Sequence, residues 1–361
     1  MNTWQKISRG ETQIDFVGLR RRWFYMSAAL LVISALTAGI FGLNLGLEFT
    51  GGVQVQTDNR SGVSVGELEA TLTELGVVDS RIQEIDEGRG IRIQTGPIPV
   101  DIEDEMVASV ATAVGAPPED VNRQAVGPTF GALVARRALL ALGVFLGAVV
   151  IFISIRLQWK MALSGIVALL HDLLITIGIY AITRFEVTPA TVVAALTVLG
   201  YSLYDTVVVF DRVRELEGDY GDVLTYTEIV NRSMNMVLAR SINTSLTSLI
   251  PVGSILFVGS LILGAAPLRD FSLALFVGIA AGTYSSIFVA SPLLALWRER
   301  EVAWMDQSRR VARRRGGSEP EEAVEVEEAP KPAPTSSDLF SMEGSMPPRP
   351  PKRRRSRRRP R

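Results

Sequence analysis

The sequence predicts a multi-pass α-helical membrane protein with six transmembrane helices and a small α+β domain inserted after the first of them. Three observations carry this. Of the 361 residues, 47% are apolar, although the chain also ends in a long charged segment. The apolar residues gather into six stretches, each near the roughly 20 residues that a helix needs to cross a bilayer. A polar segment, 44–133, separates the first stretch from the other five and shows strand and helix periodicities of its own.

The spans fall at 23–43, 134–155, 161–183, 187–210, 242–263 and within 268–297. Residues 1–22 precede them. Residues 211–241 join the fourth to the fifth and are expected to hold a short amphipathic helix over 222–239. Residues 298–361 form the tail. Basic side chains set the orientation. Arg20, Arg21 and Arg22 lead the first span, Arg156 and Lys160 join the second to the third, Arg212, Arg214, Arg232 and Arg240 join the fourth to the fifth, and Arg298 and Arg300 follow the sixth. The opposite loops hold Arg184 and Arg269, each close to an acid (Glu186, Asp270), and only Arg136 and Arg137 run against the trend. Both termini are therefore expected in the cytoplasm and 44–133 outside. The first span is long and lacks a small-residue cleavage site, so it is expected to stay as an anchor.

Within 44–133, Val53 and Val55 alternate with Gln54 and Gln56, a half-buried strand. Ser64-x-x-Glu67 is a capping box ahead of Val65, Leu68, Leu72 and Leu75, one helical face, with Gly76 past its end. Residues 81–87 and 90–95 alternate around Gly88-Arg89-Gly90, a hairpin signal. Asp101 is expected to cap a second helix bearing Met106, Val107, Val110 and Val114, and a strand over 120–126 ends at Gly127-Pro128. The order βαββαβ is the ferredoxin-like pattern.

The chain has no cysteine and one histidine, His171, which leaves no disulfide and no Cys- or His-rich metal site. No nucleophile–base pair is visible, so neither an enzyme nor a cofactor is expected. The net charge of −1 conceals segregation: an acidic run from Glu319 to Glu328, Pro-rich sequence, then a basic cluster from Lys352 to Arg359. Residues 305–361 are expected to be disordered. The basic end is either a solvated tail or a contact for anionic lipid or ribosomal RNA, at roughly 1 kcal/mol per basic residue near a charged membrane.

Ionisable groups within hydrocarbon cost several kcal/mol and so mark candidate functional sites. His171 and Asp172 lie at the middle of the third span, where Asp172 shares a face with Gly165, Ala168 and Thr176. Asp205 lies about 9 Å from the middle of the fourth, at about 1.5 Å per residue, inside a hydrocarbon half-thickness of roughly 15 Å. Thr197, Tyr201 and Asp205 recur every four residues on one face. Arg240, Asn243, Thr244, Thr247 and Pro251 form a polar stripe leading into the fifth span, with Asp205 the natural partner for the arginine. Each place also has a plainer reading, as a backbone hydrogen bond, an interfacial acid or helix packing through small polar residues. Gly278, Gly282 and Ser285 in the sixth span read as close helix packing.

Several motifs together resemble the SecF family. Leu47-Glu48-Phe49-Thr50-Gly51-Gly52 is similar to the DFTGG signature of SecF and its partner SecD. Val126-Gly127-Pro128, Leu170-His171-Asp172, Gly200-Tyr201-Ser202, the run from Asp205 to Glu215, Arg240 to Ser245 and Gly282 to Ile287 resemble further SecF signatures, in order, from residue 45 to about 297. Glu48 stands where the family usually has Asp, and Tyr204 where Asn commonly precedes the acid.

The resemblance implies an auxiliary subunit of the Sec protein translocase that acts with SecD beside the SecYEG channel. Together the two would form a twelve-helix arrangement like RND transporters, using the proton-motive force to promote late stages of preprotein export. It places Asp205 and Arg240 at positions implicated in proton conduction, with Asp172 and His171 behind them. A stand-alone RND-like exporter of lipids or small molecules, and an assembly protein whose polar stripes only hold helices together, are the alternatives.

Overall fold

The computed structural model describes residues 14–85, 88–262 and 266–316. Helix α1 (Arg20–Phe41) leads into a two-residue strand β1 (Asn44–Leu45) and a single helical turn α2 (Leu47–Thr50). The sheet domain follows as β2 (Gly52–Asp58), α3 (Val65–Glu74), β3 (Ser80–Ile85), β4 (Gly90–Thr95), α4 (Val100–Val114) and β5 (Asn122–Val126). Then come α5 (Pro128–Arg156), α6 (Trp159–Thr183), the short strand β6 (Glu186–Val187), α7 (Pro189–Tyr220) and α8 (Tyr226–Ser254), which runs on as a π-helical stretch to Ile262. Helix α9 (Ala266–Ser285) passes through a π-helical turn, Ser286–Ala290, into α10 (Ser291–Arg298), and α11 (Val302–Gly316) follows. Among the described residues six helical segments are long and apolar enough to cross a membrane. The chain is a multi-pass membrane protein.

The sheet domain has the element order β-α-β-β-α-β, with strands side by side as β3-β4-β2-β5, all neighbours antiparallel. Alternation along each strand gives one apolar face, Val53, Val55, Ile91 and Ile93, which packs against Leu68 and Leu72 of α3 and Met106 and Val110 of α4. The other face carries Gln54, Gln56, Arg92 and Gln94 and has no helix of the domain upon it. The Ser64–Glu67 capping box forms as the spacing predicts. Asp101 does not cap α4: Pro99 holds the cap position, and Asp101 lies in the first turn, where a negative charge favours the helix dipole.

Gly51 and Gly52 connect the sheet to the membrane helices. Gly52 has φ +121°, and a Cβ there would lie 2.0 Å from the Thr95 carbonyl oxygen; Gly51 has φ +71°. Only glycine takes both conformations freely. Gly52 pairs with Val126, and Gly127 and Pro128 then form the cap and first residue of α5. A second link is the parallel pair β1–β6, Asn44 with Glu186 and Leu45 with Val187.

Helix ends follow local chemistry. Thr188 and Thr191 form a capping box ahead of Pro189, and Thr225 and Glu228 form one at the start of α8. The separate amphipathic helix expected over 222–239 is instead the first half of α8, which continues unbroken into the fifth span. Its apolar face (Tyr226, Ile229, Val230, Met234, Leu238) is buried in the bundle, so nothing ends the helix at the expected boundary. Asn231 and Asn235 of that half hold the N-terminal segment: the Phe16 amide donates to Asn231 Oδ1 at 2.8 Å, and Asn235 Nδ2 donates to the Ile14 carbonyl at 2.9 Å. Residues 302–316 are helical rather than disordered, because Trp304, Gln307 and Val311 bury one face of α11. The acidic and basic runs of the tail lie outside the described residues.

Candidate functional site

Helices α6, α7, α8 and α9 meet around two aspartates. Asp172 is 1% exposed, on the face of α6 that also buries Gly165, Ala168 and Thr176, as its wheel position implies. Its Oδ2 accepts two hydroxyls from two different helices, Ser202 of α7 at 2.6 Å and Ser285 of α9 at 2.9 Å. Its Oδ1 lies 3.2 Å from His171 Nδ1. His171, 3% exposed, stacks on Tyr284 of α9 with ring centroids 5.9 Å apart. The Tyr284 hydroxyl in turn contacts Ser27 Oγ of α1 at 2.9 Å. Three side chains therefore meet one buried carboxyl, and Tyr284 and Ser27 extend the chain of contacts from His171 to α1.

The hydroxyl contacts continue across the bundle. Thr206 Oγ1 meets Ser286 Oγ at 2.8 Å, joining α7 to the π-helical turn after α9. Thr283 Oγ1 of α9 meets Ser245 Oγ of α8 at 2.7 Å. One turn earlier on α8, Ser241 donates to Asp205 Oδ1 of α7 at 2.7 Å. Asp205 is 8% exposed, and its second carboxyl oxygen, Oδ2, is buried without a partner. Two acids, nine hydroxyls and a histidine thus knit five helices together, where backbone groups are already satisfied within each helix.

Arg240 does not pair with Asp205. Its Nη2 donates to the Tyr204 hydroxyl at 2.7 Å, and its guanidinium lies 5.8 Å from that ring. The stripe Arg240, Asn243, Thr247 and Pro251 faces out of the chain, and Thr244 is half-buried. The inward face of α8 is set one residue round, at Ser241 and Ser245. The same offset appears on α7: Thr197 is exposed, Tyr201 half-buried, and the packed positions are Val198, Ser202 and Thr206.

The close-packing expectation for α9 holds, with one addition. A Cβ on Gly278 would lie 2.4 Å from Val198 Cγ1, and one on Gly282 would lie 2.7 Å from Ser202 Cβ. These glycines let α9 touch α7. Ser285 does more than pack, since its hydroxyl reaches Asp172 of α6. Ser202 and Ser241 had no residue-level signal as carboxyl partners. Among the described residues no group of three or more His, Cys, Asp or Glu side chains is arranged to hold a metal ion.

Comparison with known proteins places these features. Residues 106–300 match the family model described as protein export membrane protein SecD/SecF, C-terminal, and residues 38–58 match the SecD/SecF GG motif, which contains Gly51 and Gly52. The protein translocase subunit SecF of Streptomyces coelicolor is 41% identical over 323 residues, covering 89% of this chain and 86% of that protein. SecF of Mycobacterium tuberculosis strain H37Rv is 33% identical over 351 residues, 94% of this chain and 79% of that one. The crystal structure of SecDF from Thermus thermophilus, a translocon-associated membrane protein, superposes with a TM-score of 0.71 at 35% identity, over 81% of this chain and 39% of that chain. The present chain thus corresponds to less than half of the longer SecDF protein.

Proposed function

Since the chain belongs to the SecF family of protein translocase subunits, we propose that it serves as an auxiliary subunit of the Sec translocase, working with SecD and using the proton-motive force to promote preprotein export. Relatives named SecDF, from Thermus thermophilus and Bacillus subtilis, contain this region as 40% and 38% of a longer chain, which supports association with SecD. The SecYEG channel and the translocating preprotein are the further partners in this reading. The membrane is the bacterial cytoplasmic membrane, with both termini cytoplasmic and the sheet domain outside, as the distribution of arginine and lysine favours. The basic cluster 352–359 is either a solvated tail or a contact for anionic lipid or ribosomal RNA. The translocase relatives favour this reading over a stand-alone exporter.

The observation that carries the proton role is Asp172 accepting hydroxyls from α7 and α9 through one oxygen. A carboxylate in that position ties three helices. When it takes up a proton, both hydroxyls exchange a charged acceptor for a neutral one, and the tie that holds α7 and α9 to α6 weakens. Gly278 and Gly282 leave little slack between α7 and α9, so a change at Asp172 is passed on to the packed helices. Asp205 and Ser241 repeat the arrangement between α7 and α8, with the charge of Arg240 nearby. Moving one proton through 100 mV releases about 2.3 kcal/mol, which shifts a two-state equilibrium roughly fiftyfold.

The test is preprotein export in cells depleted of the native protein and supplied with Asp172→Asn or Asp205→Asn. Both variants are expected to insert normally and to lower export to near the depleted level. Export at the parental rate in both would overturn the proton role.

A further inference from the structure

The helix-free face of the sheet, α2, the connection into α7 and the start of α9 line a polar cleft of 530 Å³. Most of the sheet's contribution is uncharged: Gln54, Gln56, Asn122 and Gln124. Arg92 of β4 is the exception. It is 8% exposed, and Nη1 lies 3.6 Å from Oε1 of Glu186, itself 8% exposed, in β6. Asp270, in the first turns of α9, lines the same cleft, as does Glu48 of α2. Arg269 completes the set, with Nε 3.8 Å from Asp270 Oδ1 and its guanidinium 4.6 Å from the Phe185 ring.

The placement of these charges matters more than their number. Glu186 lies in the short connection between α6, which carries Asp172, and α7, which carries Ser202 and Asp205. Asp270 begins α9, which carries Ser285. The Tyr180 hydroxyl of α6 also donates to the Asp270 carbonyl. The connection between α6 and α7 therefore pairs with the sheet through Arg92, and the first turns of α9 line the same cleft.

The ion pair is also imperfectly satisfied. Arg92 Nε and Glu186 Oε1 are buried without hydrogen-bond partners. A buried pair that lacks its full set of hydrogen bonds barely offsets its own desolvation, so the docked arrangement is easily undone once Glu186 moves. The remaining nearby tie from the sheet, Arg81 to Asn44 Oδ1, involves a neutral acceptor in β1.

We infer that Arg92 is the positioning residue through which the membrane helices hold and release the sheet domain, by way of its pairing with Glu186. This rests on the proposed function for its purpose, but the docking itself is a separate physical claim. Movement of the connection between α6 and α7 carries Glu186 with it, and the guanidinium passes that movement to β4 and so to the whole sheet.

Because the chain contains no cysteine, two spin labels can be placed cleanly, on Thr112→Cys of α4 and Thr183→Cys at the end of α6, both exposed. Distances would be measured in the full chain reconstituted in lipid nanodiscs. The parent is expected to give one dominant distance. Arg92→Gln and Glu186→Gln should each raise the population at other distances by roughly tenfold, and the exchange of Arg92→Glu with Glu186→Arg should restore the parental distribution. Glu186→Gln provides the measurement from the bundle side should Arg92→Gln disturb the sheet. Unchanged distributions in both single variants, or an exchange no closer to the parent than the singles, would overturn the inference. Loss of export in Asp172→Asn alongside unchanged distances would remove the role of Arg92 and leave the proposed function standing. Altered distances alongside undiminished export in Asp172→Asn would do the reverse.

Discussion

Arg240 donates to the hydroxyl of Tyr204, 2.7 Å away, and leaves the neighbouring Asp205 to Ser241. Tyr204 immediately precedes the acid in the chain, so the arginine's resting partner is the residue next to Asp205. The bond lies on an exposed face, where one hydrogen bond is worth about 0.5–1.5 kcal/mol. Tyr204→Phe is therefore expected to change export only a few-fold. Arg240→Gln removes the charge and is expected to lower export by at least about tenfold. Comparing the two variants in one export assay tells whether the charge or the hydrogen bond matters.

Ser202 and Ser285 both donate to Asp172 Oδ2, and hydrogen bonds to a charged group are worth about 1.5–3 kcal/mol. Ser202→Ala and Ser285→Ala should each reduce export, and the double variant should fall well short of the sum because both act on one oxygen. A double-mutant cycle on export rates checks this. Independent, additive effects would mean that the shared carboxyl oxygen is incidental.

Gly282→Ala places a methyl group 2.7 Å from Ser202 Cβ, in contact with a packed helix rather than with a flexible side-chain end. Overpacking of this kind costs about 1–3 kcal/mol. The expected result is a lower thermal midpoint in detergent, accompanied by reduced export because Ser202 is pushed from Asp172. A midpoint within error of the parent would show that α7 and α9 are free to separate.

Gly52→Ala combines φ +121° with a Cβ 2.0 Å from the Thr95 oxygen. The loss should exceed about 1 kcal/mol and fall on the sheet domain first, where amide hydrogen exchange of β2 and β4 would quicken. Gly131 fits closely at the same junction, since a Cβ there would lie 2.8 Å from the Gly51 amide nitrogen.

The Ser64–Glu67 capping box makes a pH-dependent contribution. The Ser64 backbone N–H and hydroxyl both donate to the Glu67 carboxylate and hold it below the usual range for a glutamate. A carboxyl with a depressed folded-state pKa contributes its full stability above the ordinary value and loses it as pH falls through the depressed one. Removing the cap with Ser64→Ala should cost about 1 kcal/mol. Exchange of the α3 amides should quicken at neutral pH, with the difference between parent and variant narrowing in acid.

Much of the architecture was legible because hydrocarbon imposes it. Runs of apolar residues long enough to span could only be helices, and the alternation in β2 and β4 could only put Val53, Val55, Ile91 and Ile93 on one face. Asp172 stood out for the same reason: an acid in the middle of a span has to be accommodated by neighbours. Which neighbours was not legible. Serines and threonines recur through every span, and periodicity gives a stripe without saying which way it faces. The stripe headed by Arg240 has the same spacing as the buried pair Ser241 and Ser245, and only packing against α7 and α9 distinguishes them. The continuity of α8 was hidden because its first half is polar enough to resemble a surface helix. The docking of Ile14 and Phe16 on Asn231 and Asn235 depends on side chains more than two hundred residues apart.

The central claim is that Asp172 and Asp205 exchange protons in the course of the cycle. The most direct measurement is proton flux into liposomes containing the full chain together with SecD, driven by an imposed pH gradient and read by an entrapped pH-sensitive dye. Flux reduced at least about tenfold in Asp172→Asn and in Asp205→Asn, with both variants folded as the parent, is the predicted result. Parental flux in the two variants would contradict the account.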